Sequence, residues 1–88
     1  MSKFQIAESK TFQKLKPKLD KKLYKKITDF VYPQLRKNPH FGTNIKKLKG
    51  KLEGYNRYRI GNYRLFYLID DEEVIVVIVE IKLRKDAY

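Results

Sequence analysis

The chain has 88 residues, 42% of them hydrophobic, with 21 Lys and Arg against 10 Asp and Glu, a formal charge of +11 and a pI near 9.9. That length fits a single domain, residues 1–88, burying about 60% of the surface its unfolded chain exposes. Cysteine is absent and histidine occurs once, which excludes disulfide scaffolding and thiolate metal sites and argues against a histidine metal centre, so no cofactor is expected. A positive excess this large repels itself in a compact state and attracts polyanions, either nucleic acid or an acidic protein.

The opening "MSKFQIAESK" lacks the apolar run of a secretion signal, and no segment approaches the roughly 20 apolar residues of a membrane span. A cytoplasmic protein with no membrane partner is expected. Lys3 to Ser9 alternates Phe4 and Ile6 with polar neighbours and reads as a short strand. Ser9 suits a helix N-cap, and Phe12 and Leu15 recur at helical spacing until Pro17. Leu19, Leu23, Ile27, Phe30 and Val31 then describe the apolar face of a longer second helix whose other face is lysine. Pro33 has no amide proton, so it is expected to kink this helix near Asp29 or to end it. "NPHFGTN" follows as a loop, in which His40 is read as a packing or capping residue.

Beyond the loop the period changes to two. "YNRYRI" and "YRLFYLI" are predicted strands joined across Gly61-Asn62, a pair able to adopt the positive φ angles of a two-residue hairpin turn. "DDEE" makes the next turn, and the nearly continuous apolar run Val74 to Ile81 reads as a central strand covered on both faces. The fold class is therefore α+β: a short N-terminal strand, two helices, then a three-stranded antiparallel meander, with the helices on one face of a four-stranded sheet.

A two-residue turn at Gly61-Asn62 sets Arg59 directly opposite Arg64. Arg57, Arg59, Arg64 and Phe66 then share one face, and Tyr58, Ile60, Tyr63, Leu65 and Tyr67 take the other, which the helices cover. Like charges directly opposite destabilise a sheet by a few tenths to about 1 kcal/mol. A phosphate between them converts that repulsion into convergent, charge-assisted hydrogen bonds. The alternative is that these arginines splay into solvent or pair with Asp70, Glu72 or Glu80.

Leu48-Lys49-Gly50, Tyr58-Arg59, Gly61-Asn62-Tyr63-Arg64 and the segment Arg84 to Tyr88 occur in the order and spacing of the RelE/ParE superfamily of type II toxins, which the whole chain resembles. The resemblance implies a RelE-like domain and a ribosome-dependent endoribonuclease. Members of that branch cleave messenger RNA by attack of a ribose 2′-hydroxyl on the adjacent phosphate. By position it assigns Arg57 and Arg59 to the basic pair on the second strand, Arg64 to the arginine after the hairpin, and Arg84 and Tyr88 to the C-terminal motif. Arg59 and Arg64 suit stabilisation of charge on the nonbridging oxygens, and Arg57 and Arg84 the flanking phosphates or the leaving oxygen. Leu83 stands where many relatives have histidine and Lys82 where glycine is frequent, and arginine is a poor general base. Tyr88 and a Lys82 of lowered pKa are thus the candidates for that role. A cognate protein antitoxin, the ribosome and messenger RNA are the implied partners. Inhibition of DNA gyrase, as in the ParE branch, and non-catalytic binding of nucleic acid or antitoxin are the competing functions.

Overall fold

The computed structural model describes residues 3–86. A five-stranded sheet has the order β1-β5-β4-β3-β2, with β1 (Gln5–Glu8), β2 (Ile45–Lys47), β3 (Asn56–Ile60), β4 (Tyr63–Asp70) and β5 (Ile75–Leu83). β1 runs parallel to β5, and the other neighbours are antiparallel. The expected four strands are present. The fifth, β2, lies in the stretch after the loop, where three residues with two lysines carry no alternating pattern. Lysines on such an edge strand discourage pairing with another chain.

α1 (Lys10–Leu15) begins where Ser9 caps it, its Oγ accepting from the Phe12 amide at 3.1 Å and donating to the Val79 carbonyl at 2.8 Å. Val79 is the residue skipped where the β4–β5 register shifts beside Phe66 and Tyr67. One hydroxyl therefore starts a helix and satisfies a carbonyl that the bulge leaves out of the ladder. A 3₁₀ turn containing Pro17 ends α1.

The second helix does not end at Pro33; its irregularity spans Asp29, near which a kink was the other expectation. α2 (Lys21–Lys26) passes through a π turn, Ile27–Val31, into α3 (Tyr32–Lys37), and the Tyr32 amide reaches back to the Ile27 carbonyl. The wider turn absorbs the missing amide of Pro33 without ending the rod. It also overturns one expected core residue. Ile27, Val31 and Leu35, each four apart, are buried, whereas Phe30 is rotated outward and 68% exposed.

Phe12, Ile27, Leu35, Leu65, Tyr67, Val76 and Ile78 have essentially no exposed surface and join helices to sheet. Each such side chain contributes about 1.5–3 kcal/mol by burial. Beside this core, Glu8 on β1 collects the helices. Its carboxylate accepts from Lys16 Nζ at 2.9 Å, Tyr24 Oη at 2.9 Å and Tyr32 Oη at 2.8 Å. Desolvation pushes the Glu8 pKa up, but those hydrogen bonds and the Lys16 charge outweigh it, leaving it below the ordinary value. Burial and the Glu8 carboxylate hold Tyr32 well above the usual tyrosine range.

Because the folded state binds the Glu8 proton less tightly than the unfolded chain does, the stabilisation is complete above the unfolded pKa, near 4.5, and drains away as pH falls through the lowered value. Glu8→Gln is expected to cost about 1–2 kcal/mol at pH 7. Thermal melts from pH 7 to pH 3 should show this difference shrinking below about pH 4.5. A constant difference would remove the carboxylate charge from the account.

Candidate nucleic-acid interface

The β3–β4 hairpin has the expected register, with Ile60 opposite Tyr63 and Arg59 opposite Arg64. Gly61 alone of the turn pair takes a positive φ, +54°, the pattern of a II′ turn with glycine first. Tyr58, Ile60, Leu65 and Tyr67 point into the core as their alternation requires. Tyr58 Oη donates to Gln34 of α3 at 2.6 Å, and Tyr67 Oη donates to the Pro39 carbonyl at 2.7 Å.

On the other face, Arg64 pairs across β4–β5 with Lys82, so Arg59, Arg64 and Lys82 form one lateral row. Lys46, Arg57, Phe66 and Glu80 form the next. The two arginines of the first row are not equivalent. Arg59 is exposed, but Arg64 is only 5% exposed. Its Nη1 donates to the carbonyls of Gly61 at 3.0 Å and Tyr63 at 2.9 Å, and its Nε is buried without a hydrogen-bond partner. Arg64 neither splays into solvent nor meets a carboxylate in these bonds; it holds the turn from which it projects.

Arg84, in a 3₁₀ turn after β5, is tied to the same hairpin, its amide donating to the Asn62 carbonyl at 2.7 Å. β2 ends opposite Tyr58, and beyond it the Arg59 amide donates to the Asn44 carbonyl at 2.9 Å, which holds the end of β3 beside the chain entering β2. A cleft of about 470 Å³ opens there, lined by Arg59, Arg64 and Arg84 with Lys26 and Phe30 of the helical rod, and among the described residues no acidic one lines it. The fold thus brings three of the sequence-predicted residues together. Arg57 and Lys82 are not among its lining residues, and Tyr88 lies outside the described residues. Lys82 instead borders a second opening with Lys51, Tyr55, Phe66 and Glu80, and its ammonium is 3.4 Å from the Glu80 carboxylate. Its side chain is 47% exposed.

Lys26 and Phe30 were absent from the residues read from sequence. One was a lysine among many on a helix face, and the other was placed in the core. His40 Nε2 contacts Asp71 Oδ1 at 2.8 Å, at the end of β4 away from the arginine cleft, in keeping with a packing residue.

The profile of the ParE toxin of type II toxin-antitoxin systems (parDE) matches residues 7–88. The chain belongs to the RelE/ParE superfamily of type II toxins. It is 34% identical to Toxin RelE of Mycobacterium tuberculosis over 97% of this chain and 86% of that one. It is 36% identical to Toxin RelG of the same organism over 81% of this chain and 79% of that one. The crystal structure of the RelBE2 toxin-antitoxin complex from M. tuberculosis contains a chain matching with a TM-score of 0.82 and 29% identity, covering 93% of this toxin and 99% of that chain.

The unequal burial of the paired arginines generates a stability test. Arg64→Met keeps the aliphatic stem but removes two charge-assisted bonds to carbonyls, a loss of about 1–3 kcal/mol that exceeds the few tenths recovered from like-charge repulsion. Arg59→Met should be neutral or slightly stabilising. Urea unfolding of both variants checks the order, and equal stabilities would mean that the turn carbonyls do not hold Arg64.

Proposed function

We propose that this toxin is a ribosome-dependent endoribonuclease. The 2′-hydroxyl of a messenger RNA ribose attacks the adjacent phosphorus, forming the 2′-O–P bond and breaking the P–O5′ bond. The products are a 2′,3′-cyclic phosphate and a 5′-hydroxyl, with one proton leaving the nucleophile and one reaching the departing oxygen. The reading is carried by the cleft lined by Arg59, Arg64 and Arg84, with no acidic residue among its described lining residues. Fixed cations there stabilise the charge that grows on the nonbridging oxygens in the transition state. Arg64 suits that role because the turn carbonyls hold its guanidinium in place before substrate arrives.

Arg59 is the exposed counterpart, Arg84 neutralises the leaving oxygen, and Arg57 holds a flanking phosphate. For the proton of the 2′-hydroxyl, Tyr88 is preferred to Lys82, whose ammonium sits beside a carboxylate in solvent. The substrate would place the toxin in the cytoplasm. A protein antitoxin is the expected partner, as in the RelBE2 complex, and an acidic segment laid over the arginine row would silence the site by occupying it.

The ParE profile match favours a second reading, inhibition of DNA gyrase by binding, on the same scaffold. Cleavage of a message on programmed ribosomes and gyrase supercoiling, assayed side by side, separate the two. Arg59→Ala is the cleaner probe because Arg59 is exposed. It should lower ribosomal cleavage about 10²- to 10³-fold, with stability within about 0.5 kcal/mol of the parent. Full activity of that variant, or equally fast cleavage of naked RNA, would contradict the nuclease mechanism.

A further inference from the structure

Phe30 is an unusual residue to leave in water. The π turn lifts it from the apolar stripe of the helical rod to 68% exposure, where its ring does nothing for the core. A lone exposed aromatic is ordinary on a protein surface, but the surroundings of this one are not. Phe30 forms the ridge between two openings. On one side is the arginine cleft; on the other is a groove along α2 lined by Lys22, Lys25, Lys26 and the hairpin turn. Lys26 borders both, and among the described residues Asp29 is the one acidic residue lining either.

A ligand spanning this ridge must offer repeated negative charge and flat apolar faces at alternating positions. Single-stranded RNA does so, with a phosphate and a base in every unit, and aromatic platforms flanked by cations are how proteins hold single strands without reading their sequence. The arginine cleft, at about 470 Å³, lies within the range of roughly 300–1,000 Å³ seen for small-ligand sites. We infer that Phe30 is a stacking platform for a base next to the phosphate held by Arg59, Arg64 and Arg84, and that the strand continues past Lys26 onto the lysine face of α2. The inference rests on the nuclease reading for the identity of the strand. It adds a positioning residue and a direction of travel, and it gives the lysines of α2 a function beyond solvation. A protein ligand, setting an apolar side chain against Phe30 and carboxylates against the lysines, is the competing occupant.

The chain has no tryptophan, so Phe30→Trp creates a fluorophore that reports on this position alone. Titration with a short 2′-O-methyl RNA, which resists cleavage, should quench that emission. An oligonucleotide of equal length with abasic units should quench it weakly and bind about tenfold less tightly. Phe30→Ala should raise KM on programmed ribosomes by about the same factor while leaving kcat within about twofold. Equal responses to base-bearing and abasic strands, no response to either, or an unchanged KM for Phe30→Ala would each overturn the platform. Loss of antitoxin binding in Phe30→Ala beside unchanged KM would assign the ring to a protein contact. Absence of ribosomal cleavage in the parent protein would instead defeat the nuclease reading, and the fluorescence titration would still decide the stacking.

Discussion

The pairing of Arg59 with Arg64 is the constraint around which the toxin is arranged. Neither residue chooses its face. Tyr58 and Ile60 on one strand and Tyr63 and Leu65 on the next face the core, and alternation sends the arginines between them to the opposite face. Burying those side chains contributes about 1.5–3 kcal/mol each, against a like-charge penalty of at most about 1 kcal/mol. Packing wins, so a stable hydrophobic arrangement carries an electrostatically unfavourable row on its other side. The fold softens that row from within. Gly61 and Tyr63 carbonyls take up the Arg64 guanidinium, but they leave its Nε unpaired and leave Arg59 to solvent.

Distant parts of the chain meet at the same turn. The Arg84 amide bonds to Asn62, so the end of β5 is fastened to the hairpin that sets Arg59 and Arg64. β5 in turn pairs with β1, and Ser9 at the end of β1 bonds to the Val79 carbonyl at the β5 bulge. Glu8, one residue earlier, gathers the helices through Lys16, Tyr24 and Tyr32. The cationic cleft is thereby built on strand ends and a tight turn rather than on long loops, which suits a site that works by fixed charge. That scaffold does not by itself choose between an RNA phosphodiester and a protein target, since both branches of the superfamily use it.

Much of this was legible in the sequence because period-two patterning and a Gly-Asn turn are strong local signals. They placed the hairpin in register and sorted its two faces, and Ser9 announced its cap. Three features escaped for separate reasons. β2 is three residues with two lysines, too short to show alternation. Pro33 signalled a kink near Asp29 or an end to the helix; the helix continues, and the irregularity is a π turn spanning Asp29 that moved Phe30 from the expected core to the surface. Arg64 reads as a surface residue in any alternating strand. Its burial comes from carbonyls at the turn, a tertiary detail that residue type does not encode. Of the candidate cleft, Arg59, Arg64 and Arg84 were legible as a group, whereas Arg57 does not line it and the places of Lys26 and Phe30 depended on how the helical rod packs.

The proposed function makes the arginine row an oxyanion site held open by packing. Thermal melts in chloride and in inorganic phosphate at matched ionic strength, run on the parent protein and on Arg59→Ala, test it most directly. A general salt effect acts equally on both proteins, whereas specific binding stabilises only the one that retains the site. The account predicts a larger rise in Tm with phosphate for the parent than for Arg59→Ala. Equal increments in the two proteins would contradict it.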